Sequence, residues 1–211
     1  HLSHDQKKIL GLSLQNIEFT LIGKGPKGNL PLSYNNVDLY YKNNIYSRFN
    51  TDAQGKGIIQ LLKGDFTYNS SREGYYSISN KALLIDGVKN SFQDTLYQKT
   101  YSVQFNINSQ QGAIQDASIT LDGYTPDFTN ASGLVIFPNI GYEKKLLYTV
   151  QRNGFFDATG TIDVINPIIL NITLTATGNE IISRNHSKIY PNPTTNQLHI
   201  ESEKPISRIS V

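Results

Sequence analysis

Two stretches of this chain repeat one another at a nearly constant distance, and that constrains its fold more than any other feature. Val37-Asp38-Leu39-Tyr40-Tyr41, Thr51-Asp52-Ala53-Gln54-Gly55 and Arg72-Glu73-Gly74-Tyr75-Tyr76 form one set of blocks. Ala117-Ser118-Ile119-Thr120-Leu121, Thr129-Asn130-Ala131-Ser132-Gly133 and Arg152-Asn153-Gly154-Phe155-Phe156 form the other. Val37 to Ala117, Thr51 to Thr129 and Arg72 to Arg152 are 80, 78 and 80 residues apart. A period of that length implies two copies of one structural unit, each with its own core.

The blocks dictate what the unit is. Leu39 and Tyr41, like Ile119 and Leu121, alternate with Tyr40 and Thr120, the period of a strand with one face on a core. In Thr-Asx-Ala-x-Gly the polar side chains can bond nearby backbone while glycine supplies a positive φ, so the block predicts a turn. Arg-x-Gly-aromatic-aromatic reads as a strand end, a glycine kink and two rings on opposite faces. Strands are expected near Leu146 to Gln151, Phe155 to Val164 and Pro167 to Thr175; the one stretch open to a short helix is Asp5 to Leu14. With 13 Tyr, 9 Phe and no Trp among 211 residues, the composition favours strands. The expected fold is all-β: two tandem sandwiches, with an arm at 1–14, repeats at 15–95 and 101–177, a linker at 178–187, and the truncated start of a third sandwich at 188–211.

The second repeat, with Gly112-Ala113-Ile114-Gln115-Asp116-Ala117 leading into its first block and Tyr148-Thr149-Val150-Gln151 into its last, resembles carboxypeptidase-regulatory-like and Cna B-type domains, which are Ig-like or prealbumin-like sandwiches. The first repeat matches more loosely, with a longer connection from Gly23 to Asn36 and polar Asn69-Ser70-Ser71 opposite Thr149-Val150-Gln151. The resemblance implies spacer, stalk or adhesive modules. Cna B-type domains sometimes carry a Lys to Asn crosslink; Asn171 is suitably placed, but Val103 to Ile107 contains no Lys, so none is expected in the second repeat.

At the C-terminus, Tyr190-Pro191-Asn192-Pro193 followed by Leu198-His199-Ile200 resembles the opening of the type A sorting domain of the bacterial type IX secretion system. That resemblance carries the family's motif onto Tyr190, Pro191, Asn192, Pro193, Leu198 and Ile200. It implies recognition by an outer-membrane shuttle and the translocon, removal by a sortase, and release or attachment to surface lipopolysaccharide. The chain begins at His1 without Met, and the tail is only 24 residues long, so a fragment of a larger exported protein is expected. Asp94-Thr95-Leu96 resembles the short motif that the same phylum O-glycosylates, and an exposed linker at 90–100 would present Thr95.

Other chemistry finds little support. A formal charge of +2 from 19 basic and 17 acidic residues gives no field for nucleic acid or an anionic membrane. Zero Cys excludes a thiolate nucleophile and disulfides. No run of about 18 apolar residues is present, so no membrane span is expected. His1, His4, His186 and His199 lie in the arm and tail. Gly23-Lys24-Gly25-Pro26-Lys27-Gly28 suggests phosphate binding only superficially, since Pro26 removes a donor and no helix follows. Asp122, Asp127 and Asn130 offer oxygens of the type calcium takes but match no calcium-loop spacing. Neither a metal nor a cofactor is expected. Tyr40, Tyr41, Tyr75 and Tyr76, in a first repeat rich in tyrosine, would suit stacking on sugar rings if they formed an exposed row. The expected function is that of an exported, non-catalytic cell-surface or secreted module. The alternatives are the accessory end of a larger secreted protease or glycoside hydrolase, or a carbohydrate-binding module.

Overall fold

A computed structural model describes residues 13–177 in full, together with the backbone of Lys188–Pro191 and Leu198–Glu201. There is no helix among the described residues, and the fold is all-β. The first unit contains β1 (Gln15–Gly25), β2 (Gly28–Pro31), β3 (Asn36–Tyr41), β4 (Asn44–Asn50), β5 (Lys56–Leu61), β6 (Gly64–Ser70), β7 (Ile78–Ile85) and β8 (Ser91–Tyr97). The second contains β9 (Thr100–Ser109), β10 (Gly112–Ala113), β11 (Ser118–Leu121), β12 (Asp127–Phe128), β13 (Leu134–Gly141), β14 (Glu143–Gln151), β15 (Ala158–Val164) and β16 (Ile168–Thr173). β17 (Lys188–Pro191) and β18 (Leu198–Glu201) pair antiparallel, with Tyr190 opposite His199.

The eight strands of one unit correspond one for one to those of the other. In each, one sheet has the first strand at its centre: β1 between β8 and β5 with β2, and β9 between β16 and β13 with β10. The facing sheets run β4-β3-β6-β7 and β12-β11-β14-β15. Alternate residues of the central strands point inward, Ile17, Phe19 and Leu21 in one core and Val103, Phe105 and Ile107 in the other, all at most 2% exposed. Facing them are Val37, Leu39, Leu83 and Ile85 in the first unit, and Ile119, Leu121, Ile162 and Val164 in the second. The two buried clusters share no residue, which is the physical meaning of two sandwiches.

The turn blocks are superimposable in their bonding. Asp52 Oδ1 accepts from the N–H groups of Gln54 and Lys56; Asn130 Oδ1 accepts from those of Ser132 and Leu134. Gly55 and Gly133 have φ of 74° and 72°, and their carbonyls accept from Leu21 N–H and Ile107 N–H at 2.8 and 2.7 Å. Tyr34 and Asp116, both non-glycine, share the left-handed conformation at φ 54° and 56°. At this last position the shared backbone conformation persists although the residue types differ.

One difference between the units lies inside the core. Val150 of β14, fully buried, faces Ile119; the first unit has Ser70 there, opposite Val37 and 3% exposed. Where the second unit has buried Ala117, the first has Asn35, two residues before the Val37 that the sequence blocks align with it, since Val37 is the structural counterpart of Ile119. Asn35 Nδ2 donates to Ser70 Oγ at 2.6 Å, and Ser70 Oγ donates onward to the Asn36 carbonyl at 3.0 Å. The polar stretch at Asn69-Ser70-Ser71 is therefore a core strand with its own buried hydrogen-bond pair. Asn35→Ala should destabilise the first unit by about 1–3 kcal/mol, because it strips Ser70 of a buried partner. The double replacement Asn35→Ala with Ser70→Val, which imports the second unit's pair, should recover most of that loss, as read by chemical denaturation.

Sequence expectation and structure differ at 90–100. Residues 91–97 are not an exposed linker but β8, in parallel register with Glu18–Lys24. Phe92, Asp94 and Leu96 face inward, with Leu96 1% exposed. Asp94 is tolerated there because Tyr68 donates its O–H and Lys81 Nζ lies at 2.6 Å. Burial opposes the charge on Asp94, but these bonds together with Thr95 N–H outweigh it and hold the carboxyl below the usual range. Phe155 likewise lies outside β15, held by a bridge to Ala176. Asp5 to Leu14 lies almost wholly outside the described residues.

Candidate functional site at the joint between the sandwiches

The parallel pairing of first and last strands in each unit decides how the copies are arranged. A chain that starts and finishes a sandwich on parallel neighbouring strands enters at one end and leaves at the other. β8 ends at Tyr97 and β9 begins at Thr100, so only Gln98 and Lys99 connect the two units. With so short a connection the end of one sandwich must meet the beginning of the next, and the residues there are built for close contact.

Gln98 N–H donates to the Lys24 carbonyl and Lys99 N–H to the Gly74 carbonyl, both at 2.8 Å. Tyr142 N–H donates to the Lys99 carbonyl at 2.8 Å, and Gln98 Nε2 donates to the Tyr142 carbonyl at 2.8 Å. The Tyr142 ring lies against the backbone of Gly74. A Cβ there would sit 2.3 Å from Cδ1 of that ring, and φ of 81° already favours glycine. The two-residue turn of the β1–β2 hairpin carries Lys27 across the boundary. Its Nζ lies 2.7 Å from Glu143 Oε2 and 5.1 Å from the centroid of the Tyr124 ring, a combined ion pair and cation–π contact. On the other flank Glu73 accepts from the Tyr142 hydroxyl and from Lys144 Nζ at 2.8 Å.

These charges are mutually tuned. Hydrogen bonds from Lys144 and then Tyr142 hold the Glu73 carboxyl below its ordinary range, while Glu73 raises both Lys144 and Tyr142. Because Glu73 is depressed in the folded chain, its contribution to the joint is complete above the usual glutamate range, about 4.3, and is lost as pH falls through its lower folded value. The Glu73 and Lys144 side chains are 70% and 55% exposed, so salt screens them. Loosening of the joint as the pH falls through that lower value, and with added salt above it, is the expected result, read as a broader distribution of distances between labels on the two units.

The residues singled out in the sequence fall elsewhere. Tyr40 and Tyr41 point to opposite faces of β3: Tyr40 accepts from Asn69 Nδ2 at 3.3 Å, and Tyr41 packs on Phe66 with centroids 5.3 Å apart. Tyr75 packs against the first core and Tyr76 is 63% exposed near the joint. The four do not form one row, because consecutive strand residues alternate. Thr95 is half-buried on the outward face of β8. Asp127 Oδ1 accepts from Phe128 N–H and Asn130 is engaged in its turn; no group of three or more His, Asp or Glu placed to hold a metal occurs among the described residues. Asn171 accepts from Asn106 Nδ2 at 2.8 Å. Tyr190, Pro191, Leu198 and Ile200 are in β17 and β18, seen only as backbone; Asn192, Pro193, His1, His4 and His186 lie outside the described residues. Sequence reading passes over Lys27, Glu73, Gln98, Tyr142 and Lys144. The available signal is the extended first connection from Gly23, which brings Lys27 to the second unit.

No protein-family model matches this chain, and no curated protein matches it. Among solved structures it is similar to the Bacillus anthracis TIE protein, at TM-score 0.55 and 15% identity, over 76% of this chain and 34% of that one. It thus spans about a third of that protein's length. It also aligns with shaft pilin SpaA of Lactobacillus rhamnosus GG, at TM-score 0.35 and 12% identity over 79% of this chain and 99% of that one. Alignment with GBS52, the minor pilin of Streptococcus agalactiae, has TM-score 0.32 and 14% identity, covering 77% and 97% of the two chains. At 15% identity the likeness to the TIE protein speaks to the fold alone.

Proposed function

We propose that this chain is a rigid, non-catalytic spacer of an exported protein, holding whatever is attached to its two ends a fixed distance apart. The observation that carries this reading is the joint: a two-residue connection, fixed on both flanks by Lys27 with Glu143 and by Glu73 with Tyr142 and Lys144. A strand rises about 3.3 Å per residue, so the end-to-end order of the sandwiches converts sequence length into reach. A place on the cell surface or among secreted proteins belongs to the same reading. Residues 188–211 are the sorting signal in it, recognised by the outer-membrane shuttle and translocon of the type IX system and removed by its sortase.

The absence of Cys permits a direct test. Spin labels placed through Ala53→Cys and Asn153→Cys, one on each unit, should give a single narrow distance distribution, and Tyr142→Ala combined with Lys27→Ala should broaden it. A broad distribution in the otherwise unaltered chain would sink the spacer. For the route, deletion of 188–211 in a type IX-secreting host should leave the protein in the periplasm; secretion at the undeleted level would remove the sorting signal from the proposal.

A further inference from the structure

The joint has a second copy at the far end of the second sandwich. Thr177 N–H donates to the Gly154 carbonyl at 2.9 Å, as Lys99 N–H does to the Gly74 carbonyl, and Phe156 N–H meets the Thr175 carbonyl as Tyr76 N–H meets that of Tyr97. Phe155 bridges Ala176 where Tyr75 bridges Gln98, and Gly154 has φ 84° where Gly74 has 81°. The backbone there is thus the same seat that holds Tyr142 in the first unit.

Among the described residues, nothing fills this second seat. A Cβ added to Gly74 would strike Tyr142, whereas one added to Gly154 would meet nothing within 4 Å. Gln98 packs its amide against Gly25 and Gly141 in the first seat, but the second has the short side chain of Ala176. A cavity of about 270 Å³ remains, lined by Ser109, Gln110, Gln111, Phe155, Leu174 and Ala176. Phe156 beside it is 60% exposed, and Asp116 and Asp157 border the neighbouring recess.

We propose that this is a docking seat, and that its occupant is the chain's own C-terminal segment, 188–211, seated on the second sandwich as the second is seated on the first. Continuity with the joint argues for this occupant: the chain leaves the second unit at Thr177 by the same bond with which it leaves the first, so its continuation starts directly over the seat. The ten residues 178–187 give ample length to return to it. The segment brings in sequence the residue types the first seat receives, a lysine and a tyrosine two residues apart though in reverse order, Lys188 and Tyr190 for Tyr142 and Lys144. Asn153 stands where the first seat has Glu73, and Asp116 and Asp157, which border the recess together with Arg152, supply the charge complementary to Lys188. The inference goes beyond the spacer reading and does not depend on it, since the seat lies at the opposite end of the second unit from Tyr142.

Hydrogen–deuterium exchange on the full chain tests it. Amides in 188–201 should be protected at least tenfold, independently of protein concentration, and Ala176→Trp or Gln110→Trp, each filling the cavity, should abolish that protection while amides in 103–174 keep theirs. Three outcomes overturn the proposal: exchange of 188–201 at unprotected rates in the unaltered chain, protection indifferent to both tryptophans, or protection that grows with concentration, which would assign the seat to a second copy. The label distance between Ala53→Cys and Asn153→Cys should stay narrow in both tryptophan variants, separating failure of this seat from failure of the spacer.

Discussion

Replacing Gly133 with alanine is expected to cost the second sandwich about 2–5 kcal/mol, one of the largest losses any single methyl can produce here. Two effects add. At φ 72° an alanine carries about 1–2 kcal/mol of left-handed strain. Its Cβ would also lie 2.3 Å from the Ile107 carbonyl oxygen, a backbone atom of the central strand β9. Since β9 pairs on both sides, it cannot withdraw without breaking the 2.7 Å bond from its own N–H to the Gly133 carbonyl. Gly55→Ala repeats the experiment in the first unit, with φ 74° and a Cβ 2.6 Å from the Leu21 carbonyl oxygen. Gly154→Ala, in a chain lacking 188–211, is the control: the same left-handed backbone, with nothing within 4 Å of the added Cβ among the described residues, should cost about 1–2 kcal/mol. In a domain of this size the difference amounts to a separation in melting temperature of about 10 °C or more. Equal losses for Gly133→Ala and Gly154→Ala would mean that the close approach to β9 is not a real constraint.

That contrast marks the boundary of what can be read from sequence. The repeat, the alternation in β3 and β11 and the Thr-Asx-Ala-x-Gly turn are legible because each is local, set by residue type within a few positions. That Gly133 touches Ile107 is not, because it depends on a strand that begins more than 30 residues earlier. β8 reads as linker for a related reason. Gln93-Asp94-Thr95 looks like polar chain, and the inward alternation Phe92-Asp94-Leu96 is masked by a carboxylate whose partners, Tyr68 and Lys81, come from β6 and β7. The joint is the least legible of all. Lys27 and Glu143 are 116 residues apart; Lys27 stands in a glycine-rich stretch that points only superficially to phosphate and Glu143 in no motif, so only folding brings together two side chains that look like ordinary surface charge. The opposite faces of Tyr40 and Tyr41 are legible in the alternation of β3, whereas their partners Asn69 and Phe66 come from β6 and are not.

Thr129→Val should destabilise the second unit by about 2–4 kcal/mol, although valine has nearly the same shape and is the more apolar residue. Thr129 is 2% exposed, and its hydroxyl joins two segments of the turn: it accepts from Ala117 N–H at 2.9 Å and donates to the Ile114 carbonyl at 2.7 Å. Valine would leave both backbone groups without a partner where water does not reach, and each orphaned group costs about 1–3 kcal/mol. Thr129→Ser keeps both bonds and loses only a methyl, a change of about 0.5–1.5 kcal/mol. The order serine above valine therefore distinguishes the two accounts of this residue, since a side chain retained for packing alone would give the reverse. Thr51 supplies an independent repetition: its Oγ1 accepts from Asn35 N–H at 2.9 Å and donates to the Leu32 carbonyl, and it is 1% exposed. The same order of stability at Thr51 and Thr129, measured by chemical denaturation, is expected because the hydroxyl fastens the turn to the segment that precedes β3 in one sandwich and β11 in the other. A threonine at the head of both turn blocks is then explained by two backbone groups it must satisfy, and valine at either position would show directly whether that bond or the methyl holds the turn in place.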